Sequence, residues 1–185
     1  EEIKLLGDYT IAVNSKNFYS NVSTEKNNSG KVIFKSDDSV AYGNLGADKL
    51  RLSDVIFDSN STVKADIYSK KITINADKTV TFAGIENRTI AVPGVNVDRA
   101  ELPSLLKEFT YSTVIDSEEV NAKGSSKIRF DNAALVKASI NSEKIILADN
   151  VWFKEKVDST APVSFANKYV LLEKDIKFAG IEANQ

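Results

Sequence analysis

The sequence predicts an all-β protein built as a β-solenoid-like stack of rungs, each of about 24 residues. Three observations indicate this fold class: an apolar-x-Phe tripeptide recurs, longer phrases repeat, and turn residues separate short apolar runs. The tripeptides begin with Val or Ile and end in Phe34, Phe57, Phe82, Phe130, Phe153 and Phe178. Within each set of three, successive Phe positions differ by 23 and then 25, and the step from Phe82 to Phe130 is 48, or twice 24.

The same tripeptides predict which side chains form the core. On a β-strand the first and third residues share one face, and the middle residue takes the other. We therefore expect the Val or Ile and the Phe to point inward. The middle residues are then expected to point outward, and they are Ile33, Ile56, Thr81, Arg129, Trp152 and Lys177.

Two longer phrases repeat at different offsets. Residues 80–86 return as 176–182, an offset of 96, and residues 57–72 resemble 130–145, an offset of 73. The two offsets differ by 23, which is one rung, as a stack of similar rungs predicts. The repeat divides the chain into a first block, residues 1–86, and a second block, residues 87–185, within one elongated unit. The alternative is two tandem β-sandwich-like domains of about 96 residues each.

One stretch departs from the strand pattern. Four apolar residues lie at helical spacing, namely Leu102, Leu105, Leu106 and Phe109, and Asp98 precedes them as a candidate cap. This spacing predicts one short inserted helix near 102–109, within or over the stack. We expect strands to resume at residues 113–115.

Composition narrows the function classes. The chain has no Cys and no His, so disulfides, thiolate chemistry and imidazole catalysis are excluded. The 24 basic and 26 acidic residues give a formal net charge of −2, without the basic excess typical of nucleic-acid binding. No apolar run approaches the roughly 20 residues that span a bilayer. We therefore expect no nucleic-acid partner, no membrane insertion and no cofactor.

Acidic residues cluster at a few places, and each cluster has a plain structural explanation. Asp37 with Asp38, Glu118 with Glu119, and Asp54 near Asp58 could be read as calcium or acid–base sites. Adjacency in sequence does not make several oxygen ligands converge, so we interpret them as solvated loops. Arg129 and Lys177, at outward positions, are likewise interpreted as surface residues. The sequence thus predicts no catalytic residue and no metal site, hence a protein that is not an enzyme.

Trp152 is the only tryptophan and takes an outward middle position. An exposed aromatic ring on a flat sheet can stack on a sugar or anchor a partner. Trp152 is therefore the candidate ligand-binding residue. The alternative is that it packs beneath the inserted helix or a neighbouring loop.

We call the recurring apolar-x-Phe tripeptides the Phe ladder. Together with residues 42–47 (YGNLGA) ahead of Leu50-x-Leu52 and Val55-x-Phe57, this ladder resembles passenger regions of bacterial autotransporters and related large surface antigens. The resemblance implies a non-catalytic extracellular segment of a bacterial cell-surface protein, with a structural or adhesive role. A surface-layer segment would look much the same. Implied partners are host or neighbouring-cell surface molecules, glycans among them, or further copies of the chain. The alternative is a secreted β-helix protein that binds carbohydrate or degrades polysaccharide.

Overall fold

The computed structural model describes residues 1–92, 108–165, 170–174, 176–178 and 180–183, and in these residues it shows twenty-two β-strands and no helix. The strands wind into successive turns of the solenoid, which we call coils. Coils 1–4 contain β1 (Glu2–Leu5), β2 (Thr10–Val13), β3 (Asn17–Phe18), β4 (Asn21–Thr24), β5 (Lys31–Phe34), β6 (Ser39–Ala41), β7 (Leu52–Phe57), β8 (Ser61–Val63), β9 (Ile67–Ile74) and β10 (Thr79–Phe82). An insertion carries β11 (Arg88–Ala91) and β12 (Glu108–Tyr111). Coils 5–8 contain β13 (Thr113–Ala122), β14 (Lys127–Phe130), β15 (Ala134–Ser142), β16 (Lys144–Leu147), β17 (Val151–Phe153), β18 (Val157–Ser159), β19 (Val163–Phe165), β20 (Val170–Leu172), β21 (Ile176–Phe178) and β22 (Ile181–Ala183).

Each coil crosses three faces, and strands of successive coils pair in parallel. The first face begins with β1 and β4, and the second face with β2 and β5. The third face is an eight-stranded sheet in the order β22-β19-β16-β14-β10-β8-β6-β3. The long strands β9, β13 and β15 turn from the first face onto the second, which joins these two faces into a ten-stranded sheet. The predicted all-β solenoid is thus confirmed.

The tandem β-sandwich alternative is wrong. Both large sheets continue across the proposed domain boundary at residues 86 and 87, because β9 pairs with β13 and β10 pairs with β14. All of these pairings are parallel, whereas β-sandwich domains are built from antiparallel sheets.

The inward residues of the ladder form the core. Ten of them are completely buried, namely Val32, Phe34, Val55, Phe57, Val80, Phe82, Ile128, Phe130, Val151 and Phe153. Neighbouring coils stack their aromatic rings, with 5.2 Å between the centroids of Phe34 and Phe57 and 5.4 Å between those of Phe82 and Phe130. Burial of each such side chain contributes about 1.5–3 kcal/mol. The prediction for Ile176 and Phe178 concerns side chains outside those that the structure describes.

The interpretation of the gap between Phe82 and Phe130 as two rungs is wrong. These two residues pair directly in successive coils, so the gap is one coil enlarged by an insertion. The other coils are uneven in length: Val55 pairs with Val32 in the coil before it and with Ile72 in the coil after it, and the second step along the chain is the shorter. The ladder therefore marks inward Phe residues on different faces and not a constant coil length.

The predicted inserted helix is only partly testable, because residues 102–107 lie outside the described residues. At Glu108 and Phe109 the prediction is wrong, since both belong to β12, which pairs antiparallel with β11. Side chains of β12 alternate between exposed and buried, a period of two that suits a strand over an apolar surface.

The two copies of the repeated phrase occupy different faces. In the first copy, β10 lies on the third face and Gly84 follows where the chain leaves for the insertion. A Cβ atom at Gly84 would collide with the carbonyl oxygen of Ser112, where the insertion returns, so this position requires glycine. In the second copy, β21 pairs with β18 on the second face, and a Cβ at Gly180 would lie 3.7 Å from Pro162, an ordinary contact. The repeat therefore reflects similar strand chemistry at different places in the coil.

Candidate binding surface

The insertion packs as a hairpin against the outer surface of the first face. Beneath it lies a second apolar cluster, separate from the core, which contains Phe109, Tyr111, Val114, Leu135 and Trp152. Val114, Leu135 and Trp152 belong to the first-face segments of successive coils, whereas Phe109 and Tyr111 belong to β12. The hairpin thus covers an outward apolar column that would otherwise face water.

The expectation that Trp152 is exposed is wrong. Its side chain is 2% exposed, and its ring meets Phe109 edge to face at a centroid distance of 5.8 Å. The ammonium group of Lys154 lies 4.8 Å from the centroid of the same ring. Trp152 does point away from the core, as the alternation predicted, but the inserted hairpin lies over it. This is the packing alternative, with β12 as the element that contacts the ring, and at 2% exposure the ring is not accessible to a ligand.

An ion pair fastens the hairpin to the solenoid. Both guanidinium Nη atoms of Arg88 donate to the Asp66 carboxylate, at 2.6 and 2.8 Å. The backbone N–H of Val114 donates to the same carboxylate at 2.8 Å, and Arg88 also lies over the Tyr111 ring at 5.0 Å. Hydrogen bonding to Asp66 is the main reason that the pKa of Arg88 is raised above its ordinary value. Asp66 is buried, so the pair holds this corner in a fixed position.

This corner, which we call the junction corner, connects the third face of each coil to the first face of the next. It comprises residues 19–20, 42–44, 64–66, 131–133 and 148–150, and the insertion of residues 83–112 leaves and returns here. Asx side chains link successive coils along it: Asn21 Oδ1 accepts from the Asn44 backbone N–H at 2.8 Å, and Asn44 Oδ1 accepts from the Asp66 N–H at 3.0 Å. These bonds satisfy backbone donors that no strand pairing reaches.

A groove of about 300 Å³, the first groove, opens on the junction corner. Its lining includes Asn21, Tyr42, Asn44, Lys64, Glu86 and Arg88. Tyr42 stacks on Tyr19 of the preceding coil, with centroids 4.8 Å apart and rings within 12° of parallel. The ammonium group of Lys64 lies over the Tyr42 ring, 5.5 Å from its centroid. Tyr19 is 69% exposed and Tyr42 is 37% exposed, so this aromatic column faces solvent.

A second groove lies on the far side of the insertion. Its volume is about 530 Å³, and its lining includes Gly84, Asn87, Thr110, Asn132, Asp149 and Asn150. Ile85 is 68% exposed and borders both grooves, so the root of the insertion forms a ridge between them. Asn132 Nδ2 donates to the Gly84 carbonyl oxygen at 2.8 Å and holds this ridge in place.

Arg129 and Lys177, the charged candidates at outward positions, do not converge on one site. Arg129 lies on the third face and forms an exposed ion pair with Asp131, whereas Lys177 is exposed on the second face. In the described part of the chain, no group of three or more acidic residues could hold a metal ion. Asp54 accepts a hydrogen bond from the Thr73 hydroxyl at 3.2 Å, and burial raises the pKa of its carboxyl above the ordinary value.

Sequence reasoning missed the aromatic column and the ion pair at the junction corner. A signal was present, because Tyr19-x-Asn21, Tyr42-x-Asn44 and Lys64-x-Asp66 share one pattern that recurs once in each of the first three coils. The Phe ladder indicates the core strands, whereas this pattern lies in the corner residues that follow them. Nothing in the sequence identifies Arg88 as the partner of Asp66.

Fold and surface together define the class of the chain: a three-faced parallel β-solenoid with a grooved, polar corner and one hairpin insertion. Scans against protein-family models, curated proteins and solved structures found no match to the chain. Among the described residues there is no helix with the length and apolarity that crossing a membrane requires.

Proposed function

We propose that the chain is a non-catalytic extracellular segment of a bacterial cell-surface protein, with a structural or adhesive role. The observation that carries the proposal is the continuous parallel stacking of coils around a filled apolar core. Such a stack is a stiff support whose corners repeat at every coil, and it holds the groups on those corners in fixed positions. A stiff, grooved support suits display and attachment.

The chemistry of the first groove supports a non-catalytic role. Glycoside hydrolysis, the reaction of the alternative polysaccharide-degrading function, uses two carboxyl groups on either side of the scissile bond. In the described lining of the first groove, Asp66 is held by Arg88 and Val114, which leaves Glu86 as the other carboxylate. The second groove has Asp149 in its described lining. In their described linings, neither of these two grooves brings together two solvent-accessible carboxylates.

Surface labelling tests the location. Antibodies raised against the purified chain should label intact, unpermeabilised cells of the source bacterium, and external protease should remove the signal. Antibodies against a cytoplasmic enzyme serve as the control, and they should label only permeabilised cells. Labelling of the chain that requires permeabilisation would refute the surface role.

A second experiment tests the adhesive and structural roles. Beads coated with the chain should bind host or neighbouring cells more than albumin-coated beads do, or light scattering should show assemblies of the chain in solution. Monomeric behaviour together with no bead attachment would remove both roles. Release of reducing sugar from polysaccharides by the purified chain would favour the degrading alternative instead.

A further inference from the structure

We propose that the first groove binds an uncharged oligosaccharide through the amide groups of Asn21 and Asn44, with Tyr42 in its lining and Tyr19 stacked on Tyr42 beside it. The inference rests on the proposed surface role, because it names the class of molecule to which the protein attaches. The proposed binding does not depend on the Phe ladder or on Trp152. It follows from four properties of the junction corner.

The first property is a pair of fixed hydrogen-bond donors. Oδ1 of Asn21 and Oδ1 of Asn44 are each engaged by a backbone N–H of the next coil. Each Asn side chain is therefore held in one orientation, and its Nδ2 group is left without a partner on the protein in the described residues. Both residues line the groove and are exposed. Two amide donors held in this way on adjacent coils can bind the hydroxyl oxygens of a sugar at little cost in side-chain entropy.

The second property is the aromatic column at the edge of the groove, in which Tyr42 belongs to the lining and Tyr19, stacked on Tyr42, lies outside it. One face of Tyr19 is covered by Tyr42, and with 69% of the residue exposed the other face is open to solvent. The C–H face of a sugar ring can pack on such an aromatic face, while the phenol hydroxyl donates or accepts at its edge. Tyr loses little conformational entropy on binding because it has only two side-chain torsions.

The third property is the balance of charge in the groove. Its described lining contains two cations, Lys64 and Arg88, and two anions, Asp66 and Glu86. Arg88 and Asp66 neutralise each other, and Lys64 and Glu86 balance in formal charge. A site for a sulfated, phosphorylated or nucleic-acid ligand would need a net positive field. The groove therefore suits a ligand that carries hydroxyl groups and no charge.

The fourth property is shape. At about 300 Å³ the groove is at the lower end of the volumes that small-molecule sites occupy. Its lining includes the exposed Ile85 and the Asp66–Arg88 pair, of which Asp66 is buried. A groove of this size and openness fits a short stretch of a glycan chain.

The test begins with a glycan array that carries neutral mammalian-type glycans, neutral fragments of bacterial exopolysaccharides, and sulfated heparin oligosaccharides. The array distinguishes a host source from a bacterial source of the same chemistry. The best neutral binder is then titrated by calorimetry against wild type and Asn21→Asp. In this variant the carboxylate still accepts from Asn44 N–H, so the corner keeps its bond, but the Nδ2 donor is lost.

We expect Asn21→Asp to lower the affinity at least tenfold and Tyr19→Ala to lower it severalfold. The matched control is Asn27→Asp. Asn27 plays the same structural role at another corner, where its Oδ1 accepts from the Arg51 N–H at 2.9 Å, and it lies outside the groove lining. Asn27→Asp should bind as wild type does.

Three results would overturn the proposal: no neutral glycan bound, preferential binding of heparin oligosaccharides, or equal loss of affinity in Asn21→Asp and Asn27→Asp. Circular dichroism of each variant checks that the solenoid is intact. None of these results bears on the surface role itself, which intact-cell labelling tests separately. Surface labelling with no glycan binding would therefore reject the glycan proposal alone.

Discussion

Removal of the Asp66–Arg88 pair should destabilise the protein far more than removal of a surface pair. The Asp66 side chain is 8% exposed and receives three hydrogen bonds, two from Arg88 and one from the Val114 N–H. Breaking a buried ion pair by deleting one partner costs about 3–5 kcal/mol, because the other charge stays buried and unpaired.

The exposure of each partner refines these magnitudes. The Arg88 side chain is 36% exposed, so water can partly solvate it when Asp66 is absent, and we expect about 3 kcal/mol for Asp66→Ala. Arg88→Ala should cost a similar amount, about 3 kcal/mol, because the nearly buried carboxylate keeps only the bond from Val114. The double variant should cost less than the sum, with a coupling energy of about 2 kcal/mol.

Urea denaturation followed by far-ultraviolet circular dichroism measures these free energies of unfolding. The control is Arg129→Ala, which breaks a pair whose side chains are 44% and 41% exposed and should cost less than about 1 kcal/mol. A loss below about 1 kcal/mol for both Asp66→Ala and Arg88→Ala, or strict additivity in the double variant, would refute the view that this pair fastens the hairpin.

Three further variants test the core, the hairpin and a buried carboxyl. Phe57→Ala should lower the free energy of unfolding by about 3–5 kcal/mol and the outward Ile56→Ala by clearly less; equal effects in urea denaturation would contradict the inward ladder. Trp152→Ala should cost about 3–5 kcal/mol and speed amide exchange in β11 and β12, and unchanged exchange there would contradict the packing of the hairpin on Trp152. Asp54→Asn should raise the unfolding temperature at pH 7, because a raised folded-state pKa means that stability falls as pH rises through that pKa. The advantage should vanish well below pH 3.8, the ordinary pKa; an advantage that persists in acid would rule out the charge of Asp54 as its cause.

The sequence was sufficient for the fold class and for the core because both depend on a local rule. Alternation of side chains along a strand puts Val55 and Phe57 inside, whichever face of the coil they occupy. Coil length was not predictable in the same way. Phe57 lies on the second face and Phe82 on the third, so the spacing between them is one coil plus one side of another. Only the pairing register of the strands shows how much of this spacing is a full coil and how much is the additional side.

The candidate site was not predictable, because it depends on what covers an outward residue. Trp152 and Tyr42 both point away from the core, and the sequence around them does not distinguish them. A hairpin that begins at Arg88, far earlier in the chain, covers Trp152, whereas Tyr42 stays 37% exposed. The partnership of Asp66 with Arg88 is equally non-local, since it forms only once the insertion folds back onto the corner.

The insertion leaves the register of the stack intact. Residues 83–112 depart and return at one corner, where Gly84 meets Ser112, and Phe82 still stacks on Phe130 as though the two coils were joined directly. The length of sequence carried at that corner is thus uncoupled from the solenoid, and each doubling of such a loop costs only about 0.6 kcal/mol in closure entropy. The corner therefore tolerates insertions. Evolution or an engineer can lengthen or exchange the chain between β11 and β12 while the coils on either side continue to pair with one another.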